Sequence, residues 1–454
     1  MSTLAIPLLC LLLSTPLVAS LSASLSMPSW SSAASLLSSQ QTPAEASFRA
    51  RLAAGTAASP LASLRLFDGD AAPKVTFYRD SASWCPYSHG VWLQLEAKRI
   101  SYQVEKVNMR CYGQKPASFQ RLQPSGAIPV LEVIGGGTYK DSADIMLALE
   151  EQFPASRPLG PAAADAGRYR ELFRLERELF SAWMGYLTSG RGRAGFLAVL
   201  GKVEAALAAA AAPGYFLGGR MTLVDVKFMP FLERIDASMC YFKGIRIRGS
   251  PDFPSITRWF EAMEEEEGYR ITKSDIYTHC WDLPPQIGGC VQEEAGVPFK
   301  AAIDGGDWHL GEGTRVVEEG GWDWVGEEEA WREVAERFIA NHDAVARFGA
   351  RGGSRPGFPS YSAPLVQGGP NSKVDEAVIP LVDDALLWLV CKSLGDRAGA
   401  EAQVEKIKAC DPKARRLAAA SVEYLRDRVG VPRDMTLPAA SRARGAMNEL
   451  LTQI

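Results

Sequence analysis

The chain has 454 residues, 49 Lys and Arg against 53 Asp and Glu, and eight Cys, with 47% hydrophobic and 22% charged residues. At about 100–200 residues per domain, this length makes two or three domains, each able to bury a core. The net charge of −4 leaves no basic footprint and argues against electrostatically driven binding of nucleic acid, while the sparse Cys content excludes a disulfide scaffold.

From Leu4 to Ala19 the chain is charge-free and apolar, is interrupted by Pro7 and Pro16, and ends in small residues. A spanning helix needs about 20 apolar residues. Residues 1–20 therefore read as a signal peptide, and a mature form without a membrane span is expected. Residues 21–65 are rich in Ser and Ala, with Arg49 and Arg51 against Glu45, and read as a transit-like or disordered segment. A signal peptide followed by such a segment points to plastid import, with secretion as the alternative.

Strands are expected at Lys74–Arg79, Tyr102–Asn108, Val130–Val133 and Thr138–Lys140, and helices at Pro86–Lys98 and Ser142–Gln152. The order β-α-β then β-β-α makes residues 72–155 an α/β domain. Residues 160–275 carry helical periodicity with no strand between, and Thr222 with Asp225 three residues on forms a capping box. After Tyr269 a Gly-, Pro- and Trp-rich passage holds no secure element as far as about Trp324. Helices resume at Glu327–Phe348 and, beyond a Gly/Pro/Ser linker, near Val374–Leu394, Ala400–Ala409, Lys413–Val429 and Ala439–Thr452. Residues 276–454 thus form a mostly helical extension of unassigned role.

The chemistry concentrates between the first strand and first helix. Pro86 suits a first helical turn, which puts Cys85 at the N-cap. Free N–H groups and the positive end of the helix dipole there stabilise a thiolate, so a lowered thiol pKa is expected. Pro129, immediately before an apolar strand, can adopt a cis bond that turns the Ile128 backbone toward a peptide-like ligand. Asp141-Ser142 opens a helix whose N-terminus would accept a carboxylate while Asp141 pairs with an amine.

Together these residues resemble a cytosolic-type glutathione S-transferase of the omega-like, cysteine-dependent class, over Lys74 to about Tyr269. The resemblance implies a thioredoxin-like N-terminal domain and an all-helical C-terminal domain. It makes Cys85 of Cys85-Pro86-Tyr87 the catalytic residue and Lys115, Ile128, Pro129, Asp141 and Ser142 the glutathione contacts, with Thr222 and Asp225 as a structural cap. Asp141 stands where the family more often has Glu, and an insertion precedes Lys115. The segments Asp282–Cys290 and Val431–Met435 resemble an extended glutathione transferase-like group of photosynthetic lineages.

The expected activity is a glutathione-dependent thiol transferase or reductase, with glutathione as co-substrate and a small electrophile or disulfide as its partner. Ser88 replaces the second thiol of a dithiol site, which implies a monothiol cycle; Cys111 reads as an inert loop thiol. A homodimer is implied by the resemblance alone. No metal is expected, because His279, Cys280, Cys290 and His309 lack a tight ligand spacing. The alternatives are a non-catalytic module binding ligand or protein, and a glutathione-conjugating transferase.

Overall fold

The computed structural model describes residues 27–109, 115–162, 165–306, 326–353, 374 and 376–454. The signal peptide, Cys111 and His309 lie outside the described residues.

Two helices come first, α1 (Trp30–Gln40) and α2 (Pro43–Ala53). Ser29 and Thr42 cap them, each in a reciprocal bond with the residue three positions on, Ser32 and Glu45. This corrects the disordered reading of residues 21–65 over its described part. α2 is Ala-rich behind its cap, which favours helix, whereas the Ser-rich α1 gains from the apolar surface that Ala33 and Leu37 cover.

A five-stranded sheet follows: β1 (Leu64–Arg65), β2 (Val75–Asp80), then α3 (Pro86–Lys98), β3 (Tyr102–Val107), α4 (Ala117–Leu122), β4 (Val130–Val133), β5 (Thr138–Tyr139) and α5 (Ser142–Gln152). The strand order is β1-β3-β2-β4-β5. β2 and β3 run parallel with Val75 opposite Tyr102, the other pairs being antiparallel. α3 supplies the crossover, so the end of β2 feeds directly into its N-terminus. This is the expected thioredoxin-like layer, extended at one edge by β1. Arg65 of β1 is buried against Glu96 of α3, with two N–H···O bonds of 3.0 Å.

The helical domain comprises α6 (Ala166–Ser189), α7 (Arg193–Ala208), α8 (Leu223–Lys243), α9 (Pro254–Glu264) and α10 (Glu267–Thr272). Asp225 accepts from the backbone of Thr222 at 2.8 Å and of Phe216 at 3.1 Å, and from Trp259 Nε1 at 3.0 Å. The capping box therefore also ties the start of α8 to α9.

Within the passage read as irregular, α11 (Ile276–Ile287) and α12 (Val297–Asp304) are regular helices. Pro284 and Pro285 argue against a helix, but both sit in the last turn of α11. Tyr277, Cys280 and Leu283 are buried in the same core as α8. Tertiary burial outweighs local propensity there.

A second core forms from α13 (Glu327–Gly353), α14 (Ile379–Ser393), α15 (Arg397–Lys408), α16 (Pro412–Arg426) and α17 (Leu437–Gln453), together with Ala33 and Leu37 of α1. Glu45 meets the buried Arg332 at 2.8 Å. Trp30 stacks on His342 with centroids 4.0 Å apart and donates to Asp383 at 2.9 Å. The N-terminal helices thus close a core built almost entirely from residues some 300 positions away.

The two cores meet where α11 packs on residues 427–436 and α17. Tyr277 donates to Asp427 at 2.6 Å, the Val431 N–H to Thr278 Oγ1 at 3.0 Å, and Arg428 to the Trp281 carbonyl at 3.0 Å. Arg444 is fully buried and paired with Asp275. A buried pair broken on one side leaves an uncompensated charge, at a cost of about 3–5 kcal/mol. Arg444→Ala should lower the urea midpoint accordingly, and a midpoint equal to wild type would show that the pair does not hold this seam.

Candidate functional site

The site grows from the end of β2. Asp80 closes the strand, Ser81–Trp84 turn, and Cys85 is the N-cap of α3 with Pro86 in its first turn. Ser83 holds a left-handed backbone, φ 53°, uncommon for a residue with a side chain. Arg79 steadies this turn, donating to Ser83 Oγ at 2.6 Å and to the Asp80 carbonyl at 3.1 Å while its guanidinium covers the Trp92 ring.

Cys85 Sγ lies 3.9 Å from the Ile128 carbonyl oxygen, and the Ile128–Pro129 peptide is cis. The structure thus brings Cys85, Ile128 and Pro129 together directly. Lys115 is linked to the turn before Cys85 through Asn108. Its ammonium donates to the Asn108 carbonyl at 2.9 Å, and Asn108 Oδ1 in turn accepts from Ser81 Oγ at 3.1 Å. The Lys115 stem passes over Gly126, where φ is +70° and an added Cβ would come within 3.2 Å of Lys115 Cδ.

Asp141 is the N-cap of α5 and accepts from the Ala143 N–H at 2.8 Å, while Ser142 is buried. Asp141 is linked to the surroundings of Tyr87 through its charge on Lys227. Lys227 of α8 lies 5.9 Å from the Tyr87 ring and feels the Asp141 charge; Arg177 of α6 lies 5.9 Å from the same ring. Glu176, fully buried, pairs with Arg177 at 2.9 Å and faces Lys227 at 3.9 Å. Thr222 and Asp225 act within α8 and its packing and do not enter the site.

The electrostatics correct one expectation. The Cys85 thiol is buried, and its pKa is pushed up to about 11 rather than lowered. Burial is the largest cause, and the Asp80 carboxylate adds to it; N–H groups of Ser88 and Tyr87 and the Ser88 hydroxyl act the other way and are outweighed. Asp80 Oδ2 accepts the Trp84 and Cys85 N–H groups, at 2.5 and 3.1 Å, so the acid occupies donors that the helix end would otherwise offer. The sequence argument weighed the helix terminus but not the carboxylate five residues upstream.

Sequence reasoning also missed Arg234. From α8 it donates to the Trp84 carbonyl and to the Pro230 carbonyl, the latter at 2.7 Å, and lies 3.5 Å from His89 Nδ1. His89 is neutral, because burial pushes its pKa down to about 3. Arg177, Lys227 and Arg234 gave no sequence signal, since each reaches the Cys85 turn from a helix about 90 to 150 positions away. Asp80 did have one, an acid ending the strand that leads to the Cys.

Residues 84–152 match the glutathione S-transferase N-terminal domain and residues 162–262 the glutathione S-transferase C-terminal domain. A probable cytosolic glutathione S-transferase, DHAR1, of Oryza sativa subsp. japonica is 26% identical over 197 residues, 43% of this chain and 86% of the relative. Glutathione S-transferase omega-1 of Sus scrofa is 26% identical over 163 residues, 35% of this chain and 66% of the relative. Among solved structures, glutathione transferase Omega 3C from Trametes versicolor aligns at 23% identity and TM-score 0.38, covering 44% of this chain and 90% of that one.

Removing the Asp80 charge while keeping its acceptor oxygen should lower the Cys85 pKa. In wild type, alkylation of Cys85 by iodoacetamide, read by mass spectrometry of its peptide, should rise about tenfold per pH unit from 7 to 10, following the thiolate. In Asp80→Asn the same curve should shift to lower pH; an unchanged curve would remove Asp80 as a cause. Residues 84–152 and 162–262 of this chain are thus similar to the N-terminal and C-terminal domains of glutathione S-transferases.

Proposed function

We propose that the protein is a glutathione-dependent thiol transferase or reductase that works through Cys85. The observation that carries this reading is the position of Cys85 Sγ, at the start of α3 and 3.9 Å from the Ile128 carbonyl that precedes cis-Pro129. A sulfur there can attack a disulfide lying along the Ile128 backbone. The relatives named as glutathione S-transferases of the DHAR and omega types support the same class.

For a glutathione mixed disulfide, the Cys85 thiolate forms a new S–S bond to the glutathionyl sulfur as the old S–S bond breaks, and the substrate leaves as a thiolate. A second glutathione thiolate then attacks the Cys85-bound glutathionyl sulfur, releasing oxidised glutathione and regenerating Cys85. Position 88 is Ser, so no neighbouring thiol in the first turn of α3 competes with glutathione for that step. Lys115 and the N-terminus of α5 offer positive potential for glutathione carboxylates, and Asp141 a negative charge for its amine.

With its pKa near 11, about one thiol in ten thousand is ionised at pH 7, so turnover should climb with pH in step with alkylation. Reduction of a glutathione mixed disulfide should fall by at least a hundredfold in Cys85→Ser. Retention on immobilised glutathione should weaken in Asp141→Asn, which keeps the helix cap. Equal activity of wild type and Cys85→Ser would remove Cys85 as the nucleophile, and no activity in either while glutathione is still retained would replace this reading with a non-catalytic binding module, which the buried, protonated thiol favours.

Plastid import through the N-terminal leader belongs to the same proposal. Because Trp30, Leu37 and Glu45 pack on α13 and α14, removal of the leader should stop short of Trp30. N-terminal sequencing of the mature protein checks this, and a mature terminus beyond Trp30 would contradict it.

A further inference from the structure

Between the thioredoxin-like layer and the second core lies a cavity of about 600 Å³. One wall is Ser81 and Ala82, in the turn that leads to Cys85, with Lys106 at the end of β3; the facing wall is α13 and the segment from Leu425 to Met435. The extension therefore supplies most of a cavity that borders the Cys85 turn. This volume suits a small organic molecule.

Its lining is divided by chemistry. Phe338, Phe348, Leu425 and Met435 form an apolar floor. Around them stand Lys106, Arg337, Arg351, Arg428 and Arg433, against a single acid, Asp434. Asp434 is already bound by Arg433 at 2.9 Å, and Arg428 is held on the Trp281 carbonyl. Among the described residues, Lys106 and Arg337 have no ion pair. Glu333, one turn before Arg337 on α13, is committed to the Thr436 N–H at 2.8 Å. The Nε groups of Arg337 and Arg351 are buried with no acceptor among the described residues. Partial desolvation at the cavity rim, together with the nearby Arg79 and Arg337 charges, holds the Lys106 pKa below its ordinary value, and Asp434 offsets this only in part. Arg337, Arg351 and Arg433 are half-buried and Lys106 is exposed at the rim, so a surplus of positive charge faces the cavity, offset by Asp434 and at longer range by Glu333 behind Arg337.

We infer that this cavity binds an amphipathic organic anion, its carboxylate or sulfonate on Lys106 and Arg337 and its apolar body against Phe338 and Phe348. A ligand so placed lies against the turn that carries Cys85, on the side built by the extension. The inference concerns binding and is independent of the thiol chemistry, so Cys85→Ser should leave it intact.

The test is fluorescence titration of the full chain with the arylsulfonate 1-anilinonaphthalene-8-sulfonate and, in parallel, its uncharged counterpart N-phenyl-1-naphthylamine. Wild type should bind the sulfonate saturably, one molecule per chain, and more weakly as salt is raised. Arg337→Gln and Lys106→Gln, each checked by near-ultraviolet circular dichroism for a native fold, should each weaken it about tenfold and leave the uncharged probe unchanged. No saturable binding to wild type, full affinity in both variants, or equal loss for both probes would each overturn the inference.

Discussion

Two adjacent charges in the middle of α8, Glu233 and Arg234, are buried, and the rest of the architecture depends on where they find partners. A buried ion without a partner costs several kcal/mol, so each must be met inside the protein. Arg234 is met by the Trp84 carbonyl, which fixes the turn before Cys85. Glu233 is met by the Ser274 N–H at 2.7 Å and His279 Nε2 at 2.9 Å, which fixes the start of α11. Although burial raises the Glu233 pKa, His279 and Arg234 hold it at about 2. One turn of one helix thus connects the thiol on one side to the segment that carries the second core on the other. The same α11 then bonds onward through Thr278 to Val431 and through Asp275 to Arg444.

The thiol itself sits in a balance of opposed fields. A helix N-terminus favours the thiolate; burial and a carboxylate favour the thiol, and here they prevail. The arrangement is nonetheless economical. Asp80 satisfies two buried N–H groups of a turn that contains a left-handed Ser83, so the same carboxylate that holds the sulfur protonated also holds its backbone in place. Stability of the turn and readiness of the sulfur therefore pull in opposite directions on one side chain.

The second core changes the meaning of the chain's ends. α1 and α13 to α17 share one apolar interior, with Trp30 on His342, and α2 is held beside it by Glu45 on Arg332. Between them in sequence lies the whole glutathione S-transferase-like body, whose own core extends to Ile303 through α11 and α12. The extension is therefore joined to the body on two faces, at α11 and around the Cys85 turn, where the cationic cavity lies.

The sequence by itself was enough for β2, α3, β3 and α5, and for the N-cap position of Cys85, because short-range rules govern them: β-branched runs, Pro in a first helical turn, Asp or Thr at a cap. The Thr222–Asp225 box was readable for the same reason. Tertiary structure alone decided the rest. It made α11 helical despite Pro284 and Pro285, recruited α1 into a distant core with α2 ion-paired beside it, and raised the Cys85 pKa where the local rule said lower. In each case the deciding energy came from burial, joined at Cys85 by the Asp80 carboxylate. Spacing along the chain carries helix and strand periodicity; it carries no record of which side chains will be enclosed together, and enclosure is what sets the cost of a charge.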